Sequence, residues 1–511
     1  MMLLNFIPTE INVQQISAAA AILGTGSFLM TSIYQLFFSP LSKIPGPWYA
    51  AISPIFFIVI SLRGNSVYYW QRLHKQYGPY MRVSPNTVMV ADIDSAKKIH
   101  SPSDVFRKGS WYLNAMRFEN LLTITDHQKF KLRRRAFGNA FSNSNLALLE
   151  PLVRKKIEFC FKKIGKHLDD GQIVDIKPWL YWTAADIVGE LCFGKDFGMV
   201  ENEAENQIIR NCIKFVLVAG VQAQIPYFKY TSWLLSLIPT SAIQGFSKAE
   251  DKLSGYGAEA LTDLRHEIQN CKNGNPRPSL FSDLLDDVDN PNAKYRLDMT
   301  ELRNESTLFI IAGTDTTALV GLYLAWVLFR NADIRQKLIA ELKGVGWTQG
   351  DGDDGITDEK LNGLPYLRAL IQEILRLYAP AQIGLPRVVP DNGRPLGPYF
   401  LPAGTECLTQ AYTLHRDPAV FEDPLVVKPE RWLNPTREME TAMMAFGGTS
   451  RVCPGQHLAT MELRLGAAMM LKYWSNAELA DSCTDESMEL VERFLITSKG
   501  QKLELQKKKS S

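Results

Sequence analysis

One segment in the second half of the chain restricts the fold more than any other. Between Ser306 and Phe329 the only charged residue is Asp315, so hydropathy alone would place this stretch across a membrane. An aspartate at the centre of a span costs about 2.5–3.5 kcal/mol on insertion scales, a penalty that the interior of a large soluble domain does not impose. We therefore expect a helix from about Met299 to Arg330, buried in a large core.

The size and composition of the chain agree with such a core. Of its 511 residues, 46% are hydrophobic and 22% charged, which is typical of one unusually large globular domain or of two or three ordinary ones. The formal net charge of +2 gives no support to nucleic-acid binding. The seven cysteines show no Cys-x-x-Cys or Cys/His spacing, so zinc and iron–sulfur sites have no support and a reducing compartment is indicated.

The N-terminal region predicts a membrane anchor. Residues 11–42 carry no charge, and Ile16 to Phe38 has the length of a spanning helix. A cleaved signal peptide is the alternative, but no basic segment precedes the run and the run is long. The charges that flank it favour an N-terminus outside the cytosol and a cytosolic body. We divide the chain into an anchor, residues 1–42, and a globular domain, residues 43–511.

A glycine-rich loop near the C-terminus presents a cysteine. The sequence Phe-Gly-Gly-Thr-Ser-Arg-Val-Cys-Pro-Gly places Cys453 just before a helix-like run, His457 to Leu471. A lone cysteine is usually a small buried hydrophobe. At a helix N-terminus, however, the helix dipole and free backbone N–H groups stabilise a thiolate, and a thiolate held in this way is a good axial ligand for haem iron.

This loop resembles the haem-binding loop of the cytochrome P-450 family, whose pattern is Phe-(Gly/Ser)-x-Gly-x-Arg-x-Cys-x-Gly. Five positions match in register: Phe446, Gly447, Arg451, Cys453 and Gly455. The family's glycine four residues before the cysteine is Thr449 here, with Gly448 beside it, so either the turn moves its glycine by one residue or Thr449 is tolerated. The resemblance implies that Cys453 is the axial iron ligand and that Arg451 and Phe446 contribute to haem binding.

The centre of the long helix carries a second motif. Residues 312–317 read Ala-Gly-Thr-Asp-Thr-Thr and resemble the family's oxygen-activation motif, Ala/Gly-Gly-x-Asp/Glu-Thr-Thr. Bound dioxygen must receive two protons in a largely dry pocket, which a hydroxyl and a nearby acid can supply. The resemblance implies that Thr316 and Asp315 are catalytic and that small Ala312 and Gly313 let the helix pass close over the porphyrin. In the alternative, Thr316 only bonds back to its own helix.

Two arginines are implied as haem-propionate ligands. The basic segment after residue 126 is a solvated helix face, a nucleic-acid patch or part of the haem site. The resemblance favours the last, because Phe130-x-x-x-Arg134 stands where the family has Trp-x-x-x-Arg, although Arg133 and Arg135 compete for the role. An arginine suits this task because its planar fork pairs with a carboxylate through two hydrogen bonds. Arg387 stands where the family places another such arginine.

A structural ion pair is expected on a later helix. In the predicted helix Leu364 to Tyr378, Glu373 and Arg376 lie three residues apart and therefore share a face. A solvated surface pair is the usual interpretation of such spacing. The family has a Glu-x-x-Arg pair in the equivalent helix, joined by an arginine from a Pro-Glu-Arg segment, which is Arg431 here. The resemblance implies that these three residues form a structural network.

Two segments are expected to border the substrate. Residues 381–385, just before Arg387, would face it. The stretch from Ile225 to Phe246 is rich in aromatic residues and leucine, which are core residues in one interpretation. In the other, taken from the family, this stretch roofs the substrate channel and touches the bilayer.

The four motifs follow the family's order and cover essentially the whole chain. The resemblance implies a mainly α domain with a smaller β region, and haem b as cofactor. It implies insertion of one oxygen atom into a lipophilic small molecule, such as a fungal secondary metabolite. Electrons would come from NADPH through a separate NADPH–cytochrome P-450 reductase, with cytochrome b5 as a further partner. The expected location is the endoplasmic reticulum membrane, spanned once, with a cytosolic catalytic domain. The alternatives are a reductase-independent haem-thiolate isomerase or dehydratase, and a non-enzymatic haem-binding protein.

Overall fold

The computed structural model describes residues 13–103, 106–225, 241–270, 279–350, 352, 355–493 and 495–508. The helices are α1 (Val13–Ile33), α2 (Trp48–Ile52), α3 (Ile55–Leu62), α4 (Ser66–Tyr77), α5 (Ile93–Ile99), α6 (Ser110–Ala115), α7 (His127–Ala136), α8 (Asn143–Asp169), α9 (Ile176–Phe193), α10 (Met199–Asn202), α11 (Gln207–Gln224), α12 (Ser241–Asn270), α13 (Ser282–Asp286), α14 (Met299–Arg330), α15 (Ala332–Lys343), α16 (Asp358–Asn362), α17 (Pro365–Tyr378), α18 (Ala411–Leu414), α19 (Arg437–Ala442) and α20 (Gln456–Tyr473). The strands are β1 (Tyr80–Ser84), β2 (Thr87–Val90), β3 (Arg107–Lys108), β4 (Val174–Asp175), β5 (Gly384–Val388), β6 (Arg394–Leu396), β7 (Tyr399–Leu401), β8 (Glu406–Gln410), β9 (Ala477–Leu479), β10 (Leu490–Arg493), β11 (Leu495–Ser498) and β12 (Glu504–Lys507). The domain is therefore mainly α with a smaller β region, as predicted.

The N-terminal apolar run is helical throughout. Helix α1 continues into a π-helix at Tyr34–Phe38, and none of the hydrophobic window within Ile16–Phe38 is buried inside the protein. This helix is long and apolar enough to cross a membrane. After it, α2 and α3 are separated at Pro54, and Trp48 at the start of α2 leaves 67% of its surface exposed. This N-terminal helix is thus followed by two short helices rather than by a second span.

Helix α14 is the central helix of the domain. It begins at a capping box, in which Asp298 accepts the N–H of Glu301 at 2.7 Å and the Glu301 carboxylate accepts the N–H of Asp298 at 3.1 Å. It packs against α9, α12 and α20, and 72% of its most apolar window is buried inside the protein. A core position satisfies its apolar surface without lipid, so the predicted buried helix is confirmed.

The largest sheet brings distant parts of the chain together. Its strand order is β1-β2-β8-β5-β3, with β2 and β8 parallel and the other pairs antiparallel. Lys108 of β3 pairs with Arg387 of β5, and Arg387 pairs with Cys407 of β8. Because paired residues share a face and side chains alternate along a strand, Lys108, Arg387 and Thr409 lie on the same face of this sheet.

Candidate active site

The backbone of the cysteine loop fixes the position of the Cys453 sulfur. The N–H of Cys453 donates to the Phe446 carbonyl at 2.9 Å, which closes the loop, and α20 begins three residues later. An N–H bond from Gly455 and the charge of Arg134 both favour the thiolate form of Cys453. The side chain itself is exposed. A sulfur that accepts a backbone N–H and lies near a cation while keeping an open side is suited to bind a metal as thiolate.

The glycine pattern of the loop explains its departure from the family. The left-handed residue is Gly447, with φ at +83°, and Thr449 opens a short 3-10 turn without left-handed backbone. The Thr449 hydroxyl donates to the carbonyl of His100 at 3.1 Å. A Cβ on Gly448 would lie 2.2 Å from the Cβ of His100, so this position must lack a side chain. Thr449 is therefore tolerated, since the loop needs its glycines at 447 and 448.

One face of α14 is accessible at the predicted motif. Ala312 is exposed and Thr316, one turn later, is half-buried, whereas most of the helix around them is buried. The Thr316 hydroxyl donates to the Ala312 carbonyl at 2.7 Å, as the alternative interpretation expects, but its oxygen can still accept a hydrogen bond. Gly313 lies against α9, because a Cβ there would be 2.5 Å from the Val188 side chain. The small size of Gly313 thus serves helix packing, which differs from the reason given by the sequence.

Asp315 is a buried acid on the side of α14 that faces α9 and α11. Burial raises its pKa to about 7, and only the charge of Lys177 opposes this effect. Its Oδ1 atom is buried and has no hydrogen-bond partner within the described part of the chain. The negative charge of Asp315 contributes to the raised pKa values of Tyr181 on α9 and Cys212 on α11. A carboxyl with a pKa near neutrality can hold and release a proton.

Four basic side chains meet beside the cysteine loop. They are His100 after α5, Lys108 of β3, Arg387 of β5 and Arg451 of the loop. Lys108 and Arg387 are almost fully buried, at 7% and 3% exposure. Burial lowers the pKa of Lys108 well below its usual range and that of Arg451 to about 10, and the other cations of the cluster add to both effects.

No carboxylate forms an ion pair or a hydrogen bond with Lys108, Arg387 or Arg451 among the described residues, although the charge of Glu305 opposes the lowered pKa of Lys108. Lys108 donates to the carbonyls of Leu121 and Leu122 at 2.7 and 2.8 Å, and Arg387 donates to the Tyr112 hydroxyl at 2.6 Å. The Nη1 atom of Arg451 is buried and has no hydrogen-bond partner there. Buried cations are costly unless paired. The donor set therefore fits a ligand that carries carboxylates, as the two propionates of haem do.

The three arginines of the basic helix α7 differ in burial and in their partners. Arg133 is buried and pairs with Glu305 at 2.8 Å and with Glu301, both on α14. Arg135 is exposed. Arg134 is half-buried and close enough to Cys453 to influence its pKa. Of the three arginines, Arg134 is therefore the one whose charge acts on Cys453, and Arg133 joins α7 to α14.

Phe130, which stands where the family has tryptophan, contacts two members of the basic cluster. The guanidinium of Arg451 lies 4.8 Å from the centroid of its ring, and the Lys108 ammonium lies 4.7 Å from it. Both distances are within the range of cation–π attraction. The ring thus stabilises and orients the cations, although it lacks the indole N–H.

The predicted Glu-x-x-Arg residues form a buried network. Glu373 accepts two bonds from Arg376, from Nε and Nη2, each at 2.8 Å, and one from the Nε of Arg431 at 3.2 Å. Glu373 also accepts hydrogen bonds from Trp432 Nε1 at 2.8 Å and from the Lys428 N–H at 2.9 Å. Glu373 and Arg376 are fully buried. This network joins α17 to the segment that leads into the cysteine loop.

A cavity of about 130 Å³ lies between α3, α4, α6, α11 and the largest sheet. Its wall includes Ile383 and Gly384, from the segment expected to face the substrate, together with Phe57 and Trp111. The expected roof, from Ile225 to Phe246, falls outside the described residues apart from its ends.

Sequence reasoning missed His100, Lys108 and Tyr112. His100 and Lys108 belong to short local sequences with no distinguishing motif, and Tyr112 follows in α6. Their place in the site depends on strand pairing and on loop contacts with residues more than 250 positions away, which a local pattern does not encode.

Comparison with known proteins gives a family match and several relatives. The family model named Cytochrome P450 matches residues 45–505. The chain is 31% identical over 479 residues to "Cytochrome P450 monooxygenase orf2" of Aspergillus niger, covering 93% of this chain and 95% of that protein. It is 32% identical over 496 residues to "Cytochrome P450 monooxygenase tazI" of Aspergillus terreus, covering 96% and 98%. It is 30% identical over 483 residues to "Cytochrome P450 monooxygenase aflV" of Aspergillus parasiticus, covering 92% of each.

Proposed function

Because the chain belongs to the cytochrome P450 family and is a P450 monooxygenase, we propose that it inserts one atom of dioxygen into a lipophilic secondary metabolite. The electrons come from NADPH through a separate NADPH–cytochrome P450 reductase, with cytochrome b5 as a further partner. The observation that carries the proposal is the buried basic cluster beside the Cys453 loop. The donors of this cluster can bind carboxylates. One of them, Arg451, lies two residues before Cys453, whose sulfur is suited to bind iron.

The functional residues of this chain form two groups, one around the Cys453 loop and one on α14. On one side, Cys453 supplies the sulfur ligand and Gly455 supports it with a backbone N–H bond. Arg451 and Arg387 would hold the haem carboxylates, the charge of Arg134 acts on the sulfur, and Phe446 closes the loop through its carbonyl. Haem, when bound, would supply the oxygen and electron chemistry, tuned by the sulfur and by the hydrogen bonds around it.

On the other side, α14 supplies protons. Asp315 holds a proton near neutral pH on a buried carboxyl, and the Thr316 oxygen can accept a hydrogen bond from water at the accessible face of the helix. Ala312 leaves space beside it. A relay of this kind delivers protons in a site that excludes bulk water. The acid–threonine pair favours the monooxygenase over the isomerase or dehydratase alternative, because the latter reactions need no protons delivered to dioxygen.

The N-terminal helix supports a location on the endoplasmic reticulum membrane with a cytosolic catalytic domain. We assign residues 1–42 as the anchor and residues 43–511 as the catalytic domain. The window within Ile16–Phe38 is exposed along its length, whereas the second apolar helix is mostly buried inside the protein. The flanking charges favour this orientation. A single span would keep the catalytic domain beside a membrane-bound reductase and near lipophilic substrates.

The test is turnover with labelled oxygen. Membranes that contain the chain and a P450 reductase are supplied with NADPH, ¹⁸O₂ and a panel of lipophilic fungal metabolites. The expected result is one ¹⁸O atom per product molecule, with no product when NADPH or the reductase is omitted. Product formed without NADPH would support the isomerase or dehydratase instead. A protein that binds haem but forms no product with any compound of the panel would support the non-enzymatic alternative.

A further inference from the structure

His100 lies at the end of α5 and contacts the cysteine loop through its backbone and its side chain. Its carbonyl accepts the Thr449 hydroxyl, and its imidazole packs directly on Gly448. The side chain is 2% exposed, and its Nδ1 atom is buried without a hydrogen-bond partner among the described residues. A buried ring nitrogen that lacks a partner is costly, and this one differs from other such nitrogens because Arg387 and Arg451 are close enough to act on the ring. A ligand held by those two arginines would therefore be within reach of His100.

The imidazole is neutral because of its surroundings. Burial lowers the pKa of His100 to about 3, and the charges of Arg387 and Arg451 add to the effect. The same two arginines thus border both the imidazole and any anion that the cluster binds. A neutral imidazole carries one N–H and one acceptor nitrogen.

Thr409 determines which nitrogen carries the proton. Its hydroxyl is fully buried and lies 2.6 Å from Nε2 of His100, and it has no other side-chain hydrogen bond within the described residues. We assign Thr409 as the donor and Nε2 as the acceptor, because a buried hydroxyl needs an acceptor. Because the bond at one ring nitrogen sets the state of the other, Nδ1 carries the hydrogen and is a donor.

We propose that His100 donates its Nδ1–H to a haem carboxylate, alongside Arg387 and Arg451. This inference rests on the proposed function, since it assumes that haem is the ligand of the cluster. His100 then contributes a neutral donor to a site that already contains three cations. Through Gly448 and Thr449 it also couples haem binding to the conformation of the cysteine loop. Thr409 is a positioning residue, because it acts by fixing the tautomer of His100.

The test compares two substitutions that share the same branching at Cγ. His100→Asn keeps an N–H donor near the position of Nδ1, whereas His100→Leu keeps about the volume of histidine and has no donor. The holoenzymes are mixed with excess apomyoglobin, and the rate of haem transfer is measured together with the propionate bending bands in the resonance Raman spectrum. We expect His100→Leu to lose haem roughly 10- to 100-fold faster than wild type, as expected for a lost hydrogen bond to a charged group. His100→Asn should stay within about threefold, on the same principle.

Two further variants separate donation from packing. Thr409→Val removes the hydroxyl at nearly constant volume, so it should shift the propionate bands in the same direction as His100→Leu and accelerate haem loss less. His74→Leu is the control, because His74 is also a buried histidine with an unpartnered nitrogen, but it lies on α4 and bonds to the Gly78 carbonyl. It should leave haem loss and the bands unchanged.

The outcomes distinguish this inference from the proposed function. Equal haem loss by His100→Asn and His100→Leu, with propionate bands like those of wild type, would overturn the role of His100 even if wild type shows thiolate-ligated haem. A wild-type protein that binds no haem through a thiolate would overturn the proposed function itself, and the inference with it.

Discussion

The buried carboxylate of Glu373 allows a quantitative prediction. Glu373→Gln keeps the shape of the side chain but removes its charge and converts one oxygen into a donor. Arg376, Arg431 and Trp432 all donate to this carboxylate at 2.8–3.2 Å. In the variant, the NH₂ group of the new glutamine would face N–H groups that donate to Glu373 in the wild type. The variant therefore leaves the buried guanidinium of Arg376 without its counter-charge.

The expected cost differs between the two partners of the pair. Breaking a buried ion pair from one side costs about 3–5 kcal/mol. Glu373→Gln should fall near the lower value, because Arg376 still donates to the His415 and Pro424 carbonyls at 2.7 Å and lies 4.9 Å from the Phe421 ring centroid. Arg376→Met should fall near the upper value, because those carbonyls lose their donor while Glu373 stays charged and buried.

The assay is thermal unfolding of the haem-loaded protein, followed by circular dichroism. In a domain of this size about 1 kcal/mol corresponds to about 1 °C in Tm. We therefore expect a decrease of about 3 °C for Glu373→Gln and about 5 °C for Arg376→Met. Glu486→Gln, in an exposed pair with Lys499, is the matched control and should not shift Tm measurably. A Tm for Glu373→Gln equal to that of the control, or a larger loss for Glu373→Gln than for Arg376→Met, would refute this reasoning.

Three further predictions concern Asp315, the ring of Phe130 and the N-terminal helix. The raised pKa of Asp315, about 7, means that the folded protein keeps a proton that the unfolded chain has lost, so the free energy of unfolding falls as pH rises from about 4 to about 7. Asp315→Asn should flatten that slope in urea titrations and lower product formation about 100-fold or more; an unchanged slope would contradict the pKa argument. Phe130→Leu removes the ring near Arg451 and should destabilise the protein to urea by about 1–2 kcal/mol, whereas Phe400→Leu, at a ring that is 62% exposed, should not. Equal effects would exclude the cation–π contribution. A chain without residues 1–42 should leave washed membranes at high salt, while the full chain should require detergent, and equal retention would exclude the anchor assignment.

Local patterns predicted the elements whose signals are contained in one stretch of chain. The helix Met299–Arg330 was predicted from its apolar run, and its capping box lies within the same sequence. The sequence also predicted a buried position, because an aspartate in lipid is expensive, and burial in the structure confirms this.

The site depends on contacts that no local pattern contains. Lys108 enters the basic cluster because β3 pairs with β5, and His100 enters it because α5 ends against the cysteine loop. Gly313 shows a related limit, since its small size is required by Val188 of another helix. The departure at Thr449 could not be interpreted from sequence, because tolerance depends on the backbone conformation of Gly447 and on the His100 carbonyl.

The central claim is that the Cys453 thiolate binds haem iron, and the absorption spectrum of the dithionite-reduced, carbon monoxide-bound protein tests it most directly. Wild-type membranes should give a Soret band strongly shifted to the red of the position for histidine-ligated haem. Cys453→His should bind haem with an unshifted band, and Cys483→Ser, at a partly exposed cysteine, should behave as wild type. An unshifted wild-type band, or a red-shifted band that persists in Cys453→His, would contradict the account.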